Sequence, residues 1–148
     1  MKPTQPTLVR VSHTFAASPE RVFDAWLDPT RLGKWMFATP GGEMVHVAVE
    51  ARVGGCFNVT ERRDGEDVEH IGEFVEIDRP RRLVFLFQVP KFGPDRDRVE
   101  VDIVPAGSGC TVTITHELAP ADAEMKDGVV KGWTEILDGL ARVMGERS

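Results

Sequence analysis

The chain has 148 residues, 41% of them hydrophobic and 28% charged, with a formal net charge of −6. That length suits one ordinary domain with a sizeable core. The acidic balance argues against a nucleic-acid partner, which would want a basic face for phosphates, and against docking on anionic lipid. No stretch approaches the roughly 20 apolar residues of a membrane span, so no membrane partner is expected.

The opening Met1-Lys2-Pro3-Thr4-Gln5-Pro6 has no apolar run behind its lysine. It does not read as a signal peptide, and a cytoplasmic location is the default expectation. Residues 1–7 read as a flexible tail and 8–148 as a single domain. A first strand is predicted over 8–16, with Val9, Val11, His13 and Phe15 on one face. Two short capped helices follow. Ser18-Pro19 supplies an N-cap and a first-position proline, and Val22, Phe23, Trp26 and Leu27 form one apolar stripe. Asp28-Pro29 repeats the signal, so the chain stops and restarts, with Leu32, Trp35 and Met36 as the second stripe.

Pro40-Gly41-Gly42 marks a turn into strands at about 44–50 and 55–62, joined through Gly54-Gly55. Val45, Val47 and Val49 are expected on one face, opposite His46. Arg63-Asp64-Gly65-Glu66-Asp67 reads as a polar hairpin loop. Further strands are predicted at about 68–77, 82–89, 97–104 and 110–118, separated by short turns that favour an antiparallel meander. The segment 121–145 reads as a long helix whose stripe runs Met125, Val129, Trp133, Ile136, Leu137, Leu140, Met144. Gly128, Gly132 and Gly139 each lower helix propensity, which suggests close packing, with Gly132 letting the backbone approach the sheet.

His13, His46, His70 and His116 fall one to a strand, with no paired spacing, so no metal site and no cofactor is expected. His116 continues the apolar face of Val112 and Ile114. It reads either as a hydrogen-bonded histidine at the sheet–helix boundary or as a polar contact inside a cavity. Cys56 and Cys110 read as buried free thiols rather than a disulfide. Carboxylate pairs such as Glu73/Glu76 and Glu100/Asp102 read as solvated strand faces. Tyrosine is absent, and no nucleophile-elbow, phosphate-loop or dinucleotide motif is present.

Several pieces, in order, carry a family resemblance: Thr14-Phe15-Ala16-Ala17-Ser18-Pro19, Ala25-Trp26, Asp28-Pro29 and Trp35 near the start, then Arg52-Val53-Gly54-Gly55-Cys56-Phe57 and Arg79-Pro80-Arg81-Arg82-Leu83-Val84-Phe85. Thr113-Ile114-Thr115-His116-Glu117 and Gly132-Trp133 complete the set. Together they resemble the START-like (SRPBCC) superfamily, and within it the bacterial homologues of the activator of heat-shock protein 90 ATPase. The resemblance covers residues 8–144.

It implies an α+β helix-grip fold of the START/Bet v 1-like kind. A seven-stranded antiparallel sheet would wrap a long C-terminal helix, with two short helices after strand one and a cavity between sheet and helix. An empty apolar void of about 300 Å³ would cost on the order of 7 kcal/mol, so a fold that keeps one is expected to use it. The leading expectation is binding of a small hydrophobic or amphipathic molecule. The alternatives are an enzyme of the cyclase, dehydratase or hydrolase kind that uses pocket histidines, and a co-chaperone-type stimulator of a heat-shock protein 90 ATPase. Candidate pocket residues on the sheet are Phe57, Phe74, Phe85, Phe87, Val112, Ile114 and His116. Trp133 and Leu137 are the candidates on the long helix, with Trp35 and Phe37 at the mouth. Apolar residues near 85–94 make a homodimer a reasonable partner.

Overall fold

The computed structural model describes residues 7–36, 41–92, 96–118 and 124–144. Strand β1 (Thr7–Phe15) leads into helices α1 (Pro19–Ala25) and α2 (Pro29–Trp35). Strands β2 (Glu43–Val49), β3 (Cys56–Arg63), β4 (Glu66–Asp78), β5 (Arg82–Gln88), β6 (Asp97–Ala106) and β7 (Gly109–Leu118) follow, then helix α3 (Lys126–Val143). The seven strands form one sheet in the order β1-β7-β6-β5-β4-β3-β2, with every neighbouring pair antiparallel. From β2 onward this is the meander that the short turns require. Only β1 pairs out of sequence, because α1 and α2 carry the chain across to the other edge. The sheet grips α3, the helix-grip arrangement.

Both short helices start where the cap chemistry puts them. The Ser18 hydroxyl accepts from the Arg21 N–H at 3.3 Å, and Asp28 Oδ1 accepts from the Thr30 N–H at 2.9 Å. Prolines follow both caps, where no N–H is needed. α3 begins later than expected. Lys126 is its first residue and Met125, at its N-terminal boundary, is 51% exposed rather than part of the buried stripe. The expected start at 121–123 lies outside the described residues. Among the described residues, no helix is long and apolar enough to cross a membrane.

The inner face follows the strand alternation. Val9, Val11 and Phe15 from β1, Phe57 and Val59 from β3, Phe74 from β4, and Leu83 and Phe85 from β5 join one core with Trp133, Ile136, Leu137 and Leu140 of α3. Phe57 meets Phe85 edge to face at 5.0 Å. The expectation for β2 needs correction. A bulge between Met44 and His46 shifts the register, so Val45 turns outward and is 37% exposed, while Met44, Val47 and Val49 pack against the core.

The cysteines also differ in part from expectation. Both are free, and Cys110 is buried with its thiol donating to the Ala17 carbonyl at 3.6 Å. Cys56 is exposed because it opens β3 on the face opposite that of inward Phe57. Of the residues expected to form an apolar patch, Phe85 is buried in the core and Phe87 turns inward.

Candidate functional site

α3 lies against β1 and α2 and leaves a gap over the β3–β5 side of the sheet. α2 and α3 pack closely: a methyl at Gly139 would sit 3.6 Å from Trp35 of α2, an ordinary van der Waals contact, so the approach does not require glycine. The gap is a cavity of about 300 Å³. From the sheet it is lined by Arg63, His70, Phe87 and His116, and from the helices by Trp35, Val129, Gly132, Trp133, Glu135 and Ile136.

Four strands each place one inward residue here. β3 alternates Phe57, Val59, Glu61, Arg63 on its inner face, and β4 alternates Val68, His70, Gly72, Phe74. Val59 pairs with His70, Gly72 with Phe87, Phe87 with Asp97, and Val99 with His116. The polar inward residues therefore gather at one end of the sheet, while the apolar ones fill the other.

His116 is buried, and both ring nitrogens are engaged. Trp133 Nε1–H donates to His116 Nδ1 at 2.9 Å. Indole can only donate, so Nδ1 carries the lone pair and the proton resides on Nε2. Nε2–H donates in turn to Asp97 Oδ2 at 2.8 Å. The ring is thus the neutral tautomer in a Trp–His–Asp chain. A general base of the Ser-His-Asp type presents one nitrogen to the reacting group; here that position is filled by indole.

His70 is held differently. Its Nδ1 lies 3.0 Å from the Val59 carbonyl, which only accepts, so the proton sits on Nδ1. Burial pushes its pKa down to about 4, with the nearby Arg63 charge acting in the same direction and the Val59 bond opposing. Its ring is nearly parallel to that of Phe87, at 12° and 6.2 Å between centroids.

Arg63 carries the positive charge of the site. Its Nε donates to Glu61 Oε1 at 2.5 Å, and the two side chains differ sharply in exposure, 33% for Arg63 and 2% for Glu61. Trp35 of the lining meets Trp26 edge to face at 4.8 Å, and each has a buried indole N–H with no hydrogen-bond partner among the described residues. Among the described residues, no group of three His, Cys, Asp or Glu side chains is placed to hold a metal ion.

Of the residues singled out from the sequence, Trp35, Phe87, His116 and Trp133 line the cavity. Val112, Ile114, Phe57, Phe74, Phe85 and Leu137 do not; they are buried in the adjoining core. Alternation correctly turns them inward, but they stand at the packed end of the sheet. Phe37 lies outside the described residues. Arg63, His70, Val129, Gly132, Glu135 and Ile136 also line the cavity and were not among the candidates. Arg63 reads as a loop residue because charge dominates 63–67, yet the alternation Phe57, Val59, Glu61, Arg63 was present to be followed. Gly132 reverses its expected role. A methyl there meets nothing within 4 Å, so the glycine opens the cavity rather than drawing the helix to the sheet.

Residues 16–145 match the family described as activator of Hsp90 ATPase homolog 1-like protein, and the chain belongs to that family. No curated protein matches the sequence. The fold is similar to the AHSA1-like protein from Aeromonas hydrophila, at 22% identity and a TM-score of 0.81, over 94% of this chain and 92% of that one. It is likewise similar to protein NE0264 from Nitrosomonas europaea, at 20% identity and a TM-score of 0.79, over 93% and 94% of the two chains. A protein of Rhodobacter sphaeroides matches at 19% identity and a TM-score of 0.80, over 98% and 95%. These likenesses establish the START-like helix-grip fold.

Proposed function

We propose that the chain binds a small hydrophobic or amphipathic molecule in the cavity between sheet and α3, without covalent chemistry. The observation that carries this reading is the cavity itself, about 300 Å³ held open beside a well-packed core. The cavity opens toward solvent, so it does not carry the full cost, on the order of 7 kcal/mol, of an enclosed apolar void of that size. Here the walls mix Trp35, Phe87, Val129 and Ile136 with Arg63, His70 and His116. That pairing of apolar surface with a few polar groups is the composition of small-molecule sites. Gly132 adds to the argument, because a helix-weakening residue occupies a position with room for a side chain.

The hydrogen bonding of the histidines favours binding over catalysis. Both nitrogens of His116 are engaged, and burial holds His70 neutral at neutral pH.

A thermal-shift screen of hydrophobic acids, aromatics and isoprenoids tests the reading. A ligand that binds only the native state raises stability by about 2.7 kcal/mol at a hundredfold excess over Kd. At least one saturable upshift is expected. Native mass spectrometry of protein purified from its own host would identify what stays bound. Silence across every compound class, with nothing retained in the mass spectrum, would overturn the proposal.

A further inference from the structure

We propose that occupancy of the cavity is coupled to a proton on His116: the neutral ring fixes Trp133 as part of the wall, and the imidazolium releases it. The inference rests on the binding reading above and adds a control to that same site.

The control lies in a conflict between hydrogen bonds. Neutral His116 accepts from the Trp133 indole at Nδ1, at 2.9 Å, and donates from Nε2 to Asp97, at 2.8 Å. An imidazolium donates at both nitrogens, and indole can only donate. A second proton on the ring therefore sets two N–H groups head to head across 2.9 Å. The Nε2 bond survives and becomes an ion pair with Asp97. The Nδ1 bond does not survive, so the indole turns or α3 shifts. Trp133 shares the lining with Gly132 and Ile136 of the same helix, and His116 lines the cavity from the sheet. The movement thus falls on the wall itself.

The groups around the ring favour its charge through one residue. Asp97 of β6 lies against Nε2. β5 presents the uncharged ring of Phe87, edge to face at 6.2 Å, and Val9 of β1 and Val99 of β6 pair with His116 on either side. On β7 itself, Glu117 lies on the other face, 3.8 Å from Arg98. The other charged or titratable lining residues are Arg63, paired with buried Glu61, His70, whose pKa burial pushes down to about 4, and exposed Glu135. An apolar occupant opposes the proton, because it strips water from a charged ring. Binding is therefore strongest with the neutral ring, and by reciprocity an occupied cavity resists protonation. Histidine suits this role, since its charge changes nearest neutral pH.

Two readouts on the whole chain test the coupling between pH 8 and pH 5, above the range in which His70 titrates. In nitrogen-15 NMR, His116 is expected as the Nε2–H tautomer at pH 8. As it takes up a proton, the Trp133 indole N–H should leave its hydrogen-bonded shift and exchange faster with water at the same midpoint. Trp133→Phe removes the conflict and should raise that midpoint, whereas Asp97→Asn should lower it. The second readout is fluorescence binding of N-phenyl-1-naphthylamine, a hydrophobic probe that stays uncharged over this range. Its affinity for wild type should fall by about tenfold toward pH 5. In His116→Gln, whose amide can accept from indole and donate to Asp97 without titrating, the profile should be flat. An indole resonance that ignores the charge on His116, or a ring that stays neutral until the fold is lost, would overturn the proposal. A flat wild-type binding profile beside an intact NMR transition would also overturn it, while the cavity reading stands. A probe that binds at no pH would sink the coupling and count against the cavity reading as well.

Discussion

The indole N–H of Trp133 ends on Nδ1 of His116 at 2.9 Å, and this one bond settles the proton positions of a buried chain. It forces the imidazole to donate from Nε2 to Asp97. α3 is thereby tied to β7 and, through Asp97, to the start of β6, at the polar end of the inner face.

Removing the middle of that chain should cost more than removing its end. His116→Ala leaves an indole donor and a carboxylate without their partner in a buried setting, and should destabilise by about 2–4 kcal/mol. Trp133→Phe keeps most of the ring volume and loses one hydrogen bond, so about 1 kcal/mol is expected. Urea melts of both variants and of the double variant would give the coupling. Additive effects would show that the bond contributes nothing to stability.

His70 should make the fold acid-sensitive. Burial lowers its pKa from 6.5 to about 4 in the folded state. As pH falls below 6.5, the unfolded chain takes up a proton that the folded chain refuses. Stability is thus full above 6.5, declines through the window down to about 4, and levels off below it. The loss attached to this one group is on the order of 3 kcal/mol. In His70→Phe the decline between pH 6.5 and pH 4 should be shallower by that amount in denaturation midpoints. Parallel curves for variant and wild type would mean that His70 titrates normally.

Much of the fold was legible because it depends on local chemistry. Ser18-Pro19 and Asp28-Pro29 place both short helices, and alternation such as Val9, Val11, Phe15 turns the right residues inward. The site was less legible because it depends on where along that inner face α3 stops covering the sheet. Val112 and His116 share a strand and a face, yet one is core and the other lines the cavity. Alternation has no term for that distinction; it follows from the long-range seating of α3 on β1 and α2. The β2 bulge escaped for a similar reason, since Val45 has the side chain of an inward residue and only its pairing with β3 turns it outward.

Gly109 and Gly132 should respond oppositely to the same substitution. A methyl at Gly109 would lie 1.9 Å from the Phe15 carbonyl oxygen, a backbone atom that cannot rotate away. Gly109 opens β7 beside the last pair of the β1–β7 ladder, Phe15 with Cys110, so relief requires parting the strands. Gly109→Ala should destabilise by about 3 kcal/mol. A melting temperature within a degree of wild type would show that the turn relaxes freely.

At Gly132 the same methyl meets nothing within 4 Å, and the position is inside α3. Gly132→Ala should therefore stabilise the ligand-free protein by up to about 1 kcal/mol, the propensity difference between the two residues in a helix interior. A larger side chain does something else. Gly132 is a wall of the cavity, and the side chain of Gly132→Leu would project into it and compete with any occupant. That variant should hold or raise the ligand-free melting temperature while losing the upshift given by compounds that stabilise wild type. The two readouts separate the explanations of this glycine. If Gly132→Leu unfolds the protein, the space is needed for packing and the cavity is a consequence of it. If the variant is stable and still shows the full ligand upshift, the molecule binds elsewhere. Stability retained and binding lost is the outcome that ties the helix-weakening residue to the occupant of the cavity.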